Sequence, residues 1–67
     1  MSKFIYLKNI HGNDILINID EIQYVEDGIK EKYNIIWLKD GINIKTNISV
    51  KHLYNLIING NITGGNK

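Results

Sequence analysis

The stretch Tyr33-Asn34-Ile35-Ile36-Trp37-Leu38-Lys39-Asp40-Gly41-Ile42-Asn43-Ile44-Lys45-Thr46 decides the fold. Its first half is β-branched and aromatic, the composition that suits a pleated strand. Asp40-Gly41 is the dipeptide that a tight reversal between strands favours, because glycine accepts positive φ. Residues 33–39 therefore read as a strand and 42–46 as its antiparallel return.

Toward the N-terminus, Asp27-Gly28-Ile29-Lys30-Glu31-Lys32 is charged and contains glycine, so it reads as a connection. Residues 23–26, Gln-Tyr-Val-Glu, form a short strand before it, preceded by Ile19-Asp20-Glu21-Ile22 as a single helical turn. Further back, residues 3–10 and 15–18 make a first hairpin around His11-Gly12-Asn13-Asp14, where glycine and side-chain-to-backbone bonding by Asn and Asp supply the turn. Toward the C-terminus, Ser49 can cap a helix through its hydroxyl. Val50, Leu53, Leu56 and Ile57 follow at helical spacing, and Asn59-Gly60 is a stop.

The expected fold is α+β and mainly β: a small antiparallel sheet of two β-hairpins packed against one C-terminal helix. Residues 1–58 make one domain, with the helix over about 50–58, and 59–67 form a flexible tail. A chain of 67 residues has room for one core only. With no cysteine it has neither disulfides nor thiolate metal sites. His11 and His52, in a turn and on the helix, offer no third ligand, so no metal and no cofactor is expected. Small domains need a supplement to the core, and a homo-oligomer is the economical one.

Eight lysines stand against seven acidic residues, for a net charge of +1, and there is no arginine. That balance lacks the basic footprint of a duplex-DNA binder. The start Met1-Ser2-Lys3 runs directly into alternating residues, so no secretory signal is expected, and no apolar stretch reaches bilayer length. A cytoplasmic location follows as the expectation, with the sequons at Asn47 and Asn61 unused.

Strand alternation assigns the two faces. Ile5, Leu7, Ile15, Ile17, Ile36, Leu38, Ile44 and Thr46 share one side, closed by Ile22 and Val25 and covered by the helix residues Val50, Leu53, Leu56 and Ile57. The other side collects Phe4, Tyr6, Lys8, Leu16, Ile35, Trp37, Lys39, Asn43 and Lys45. A sheet face in water normally reads polar, and this one interleaves aromatics with lysines. Three explanations stand: an interface between copies of the chain, bulges that put some of these side chains into the core, or a stacking platform for a nucleotide-type ligand.

The run Ile5-x-Leu7-x-x-Ile10-x-Gly12-x-x-Ile15-x-Ile17-Asn18, then Ile22-x-x-Val25-Glu26, Ile36-x-Leu38-x-x-Gly41 and Ser49-Val50-x-x-Leu53 resembles the small FlbD-type (SwrD-like) flagellar accessory proteins. The likeness covers residues 4–58. Ile19 stands where that family often has proline, and residues 27–32 replace its shorter acidic turn. Residues 24–50 are more distantly similar to the LytTR DNA-binding domain. The FlbD resemblance implies a flagellar accessory or regulatory role. Proteins of this build are also common in phage and mobile elements, which makes an anti-defence role a further expectation.

No catalytic set emerges. Ser49 is explained by capping, Asp20-Glu21 and Glu26-Asp27 by turns, and Gly64-Gly65 lies between no strand and helix as a phosphate loop requires. The expectation is a non-enzymatic oligomeric binding protein that engages a host protein or sequesters a nucleotide-type signal. Phe4, Tyr6 and Trp37 would give contact area, Lys8, Lys39 and Lys45 would steer an anionic group, and Asn43 lies among them. A flagellar accessory role is the alternative, and nucleic-acid binding the third.

Overall fold

A computed structural model describes residues 3–59. The expected strands and helix form in order: β1 (Phe4–Lys8), β2 (Asp14–Asn18), a 3₁₀ turn (Ile19–Glu21), β3 (Ile22–Glu26), β4 (Asn34–Leu38), β5 (Asn43–Thr46) and α1 (Val50–Asn59). The strands divide between two antiparallel sheets, β1-β2 and β3-β4-β5. The expected tail begins at Asn59, the last residue of α1, and from residue 60 lies outside the described residues.

Turn chemistry closes each hairpin. The Asn9 Oδ1 accepts from the backbone N–H groups of His11 (2.9 Å) and Asn13 (3.0 Å), an Asx arrangement that holds the β1–β2 turn. In the β4–β5 turn Gly41 has φ +90°, and Asp40 Oδ1 accepts from Ile42 N–H at 3.1 Å. The β3–β4 connection is pinned at Gly28, whose N–H donates to Asn34 Oδ1 at 3.3 Å. A Cβ there would run into the Tyr33 carbonyl. Asn34 Nδ2 donates onward to the Ile48 carbonyl at 2.7 Å, so one side chain joins two loops.

Both sheets turn their inner faces to one cluster. Ile5, Leu7, Ile17, Ile36 and Leu53 are buried, with Ile15, Ile22, Val25, Leu38, Ile44, Leu56 and Ile57 packed around them. Each fully buried aliphatic contributes roughly 1.5–3 kcal/mol. Ile19 and Ile48 also join the cluster from segments outside the alternating runs. Val50 is half-buried at the start of α1, where Ser49 Oγ accepts from the His52 N–H at 3.1 Å.

Ile22 and Val25 are three residues apart, an odd interval that would put them on opposite faces of a regular strand. A bulge resolves this. Ile22 pairs with Leu38, but Tyr24 pairs with Trp37, so the ladder shifts by one residue at Gln23. The bulge therefore keeps both aliphatics against the core and turns Tyr24 outward beside Trp37.

The sheets are joined by polar bonds at their edges. Thr46, fully buried, donates from Oγ1 to the Lys8 carbonyl, and Ile10 N–H donates to the Lys45 carbonyl at 2.9 Å. Within the larger sheet, Lys39 N–H donates to the Glu21 carbonyl at 2.9 Å, which continues the β3–β4 ladder into the 3₁₀ turn.

Candidate functional site

The residues expected on a single aromatic and lysine face are distributed over two. Phe4, Tyr6 and Lys8 stand on the outer side of β1, beside Leu16 of β2. Trp37, Asn43 and Lys45 stand on the outer side of the three-stranded sheet, with Ile35. Lys39 belongs to neither strand face: it lies exposed in the turn after β4. Alternation is correct within β1, β2, β4 and β5, and in β3 the bulge shifts it by one residue. It does not determine which hairpin extends which sheet, and here the two hairpins pack through their inner faces.

On the β1–β2 face the cross-strand pairs are Phe4 with Asn18, Tyr6 with Leu16 and Lys8 with Asp14. Leu16 is 67 % exposed and Tyr6 47 %. Asp14 gathers the polar groups: its Oδ1 accepts the Tyr6 hydroxyl at 2.7 Å and lies 3.6 Å from Lys8 Nζ. The hydrogen bond from Tyr6 and then the charge of Lys8 hold the Asp14 carboxyl below the usual carboxylate range. The same hydrogen bond, with some desolvation and the Asp14 charge, pushes the Tyr6 phenol up.

On the larger sheet Tyr24 and Trp37 stack, with centroids 6.0 Å apart and planes inclined by 20°. The Trp37 indole N–H donates to Glu26 Oε1 at 3.1 Å. Ile35 separates Glu26 on β3 from Lys45 on β5, and Lys45 Nζ lies 5.4 Å from the centroid of the Tyr33 ring. The face is thus an aromatic pair and an isoleucine bordered by one carboxylate and one ammonium.

Tyr24, Tyr33 and Glu26 were not among the expected site residues. Tyr33 sits at the start of the expected strand with Trp37's parity, a usable signal. Tyr24 depends on the bulge, whose trace in the sequence is the odd interval between Ile22 and Val25. A separate groove of about 560 Å³ runs between the end of β1 and α1, bordered by Lys8, Ile10, Ile48, His52 and Leu56. Among the described residues no group of three or more His, Asp or Glu could hold a metal ion. No helix among them is long and apolar enough to cross a membrane.

No protein-family model matches this chain, and no curated protein or solved structure matches it.

Proposed function

We propose that the chain is a non-enzymatic, oligomeric binding protein whose partner is another protein, engaged through the Tyr24–Trp37 face of the three-stranded sheet. The observation that carries this reading is charge balance. Of the three lysines expected to steer an anion, Lys8 is paired with Asp14, Lys45 shares its face with Glu26, and Lys39 lies in a turn off both faces. The rings supply contact area, as aromatic anchors do at protein interfaces. A phosphate-bearing ligand would approach Glu26 beside the indole, which is unfavourable for a second anion.

The order of strands, with Ser49-Val50 opening the helix, fits an FlbD-type flagellar accessory. A phage-borne anti-defence protein that binds a host protein fits the same face.

The test is affinity capture from cells with the wild type and with Trp37→Ala. A host protein recovered in fixed proportion, and lost in a variant whose circular dichroism is unchanged, supports the reading. Nucleotides that raise the melting temperature in a concentration-dependent way overturn it in favour of a small-ligand role. Salt-dependent nucleic-acid binding overturns it in favour of the third.

A further inference from the structure

The strand edges are finished in different ways. The free side of β1 is tied to β5 at its end by the Thr46 and Ile10 bonds. The free side of β3 carries the bulge, a device that discourages edge pairing. β2 has neither protection. It pairs with β1 without a register shift, and its residues Asp-Ile-Leu-Ile-Asn hold one charge, at the end.

Backbone alternation identifies what β2 offers. Ile19 N–H donates to the Lys3 carbonyl and Asn9 N–H to that of Asn13, so the Ile17–Ile5 and Ile15–Leu7 pairs are the hydrogen-bonded ones. The Lys8 carbonyl, at the alternate position, turns away from β2 toward Thr46. By the same alternation Asp14, Leu16 and Asn18 turn their N–H and C=O groups away from β1, on a side along which no other strand is paired among the described residues.

We propose that β2 pairs antiparallel with β2 of a second copy about a two-fold axis through Leu16, forming a four-stranded sheet β1-β2-β2-β1. In this register Leu16 lies beside Leu16, and Asp14 of each copy lies beside Asn18 of the other. The segment is complementary to itself there: each carboxylate meets an amide, and the two exposed leucines cover one another. Asn18 remains extended (φ −73°, ψ 119°), so strand geometry persists to the last pair. The contact also extends a small sheet on a chain whose single core is small. This inference deepens the oligomeric part of the proposed function and does not use the Trp37 face, so the two fail separately.

Sedimentation equilibrium of the full chain tests it. The wild type is expected at twice the 7.7 kDa chain mass. Leu16→Pro should be a folded monomer, because proline is tolerated where the strand's N–H faces outward. Asn18→Asp keeps an acceptor for the Asp20 N–H at 3.0 Å but sets two carboxylates side by side at each end. It should weaken the dimer on the order of tenfold. Leu16→Cys, in a chain with no cysteine, should oxidise to a covalent dimer, since hydrogen-bonded antiparallel pairs hold Cα atoms about 5.5 Å apart. Ile42→Cys, exposed in the β4–β5 turn, should not. A wild type that stays monomeric overturns the proposal. So does an oligomer that Asn18→Asp leaves unchanged and that Leu16→Cys does not cross-link, whether or not Leu16→Pro folds.

Discussion

Thr46 donates its hydroxyl hydrogen to the carbonyl of Lys8 at 2.8 Å, joining two sheets through residues 38 apart in the chain. The same oxygen accepts from the Ile48 N–H at 3.3 Å, which sets the direction of the loop into α1. The side chain is fully buried, so water cannot replace either bond. Thr46→Val preserves the shape and removes both. It should cost about 1–3 kcal/mol, the penalty for stranding buried polar groups. Urea denaturation measures this. A loss below about 0.5 kcal/mol would show that the clasp adds little beyond packing.

The Tyr6–Asp14–Lys8 group predicts opposite responses at the two ends of the pH scale. Asp14 is lowered in the folded chain, so its contribution is fully present above the ordinary carboxylate pKa and is lost as pH falls through the folded value. Tyr6 is raised, so its contribution is present below the ordinary phenol pKa and is lost as pH rises through the folded value. Both side chains are exposed, and the stability effects are correspondingly small. The cleaner measurement is an NMR titration of the Asp14 carboxyl carbon. Its midpoint should rise in Tyr6→Phe, and an unchanged midpoint would assign the shift to Lys8 alone.

The inner face is readable from alternation because the inward residues of β1, β2, β4 and β5 repeat at intervals of two, with β3 departing only at its bulge. Ile5, Leu7, Ile17 and Ile36 are buried on that basis, and Leu53 on helical spacing. Ile19 and Ile48 escape such reading, since they anchor a 3₁₀ turn and a loop that have no strand period. The division into two sheets escapes it for another reason. Which strand edges meet is decided by bonds such as Thr46 to Lys8, and nothing local to either residue announces the other. The candidate site inherits this: Phe4 and Trp37 have matching outward parity but occupy different sheets.

The stacked pair Tyr24–Trp37 exists because of the shift at Gln23, and it makes a quantitative prediction about the binding face. In a double-mutant cycle on urea stability, Tyr24→Ala and Trp37→Ala should couple by about 0.5–1.5 kcal/mol, the range for offset aromatic pairs. Tyr24 is 51 % exposed, which favours the lower end. Glu26→Ala should remove the acceptor of the indole N–H without disturbing the stack, so the coupling should persist in that background. The result bears on partner binding. If the rings couple, Tyr24→Ala weakens partner capture partly by releasing Trp37, and Glu26→Ala leaves capture largely intact. A coupling of zero would mean that the rings act independently, and Trp37→Ala would then report its own contact with the partner alone.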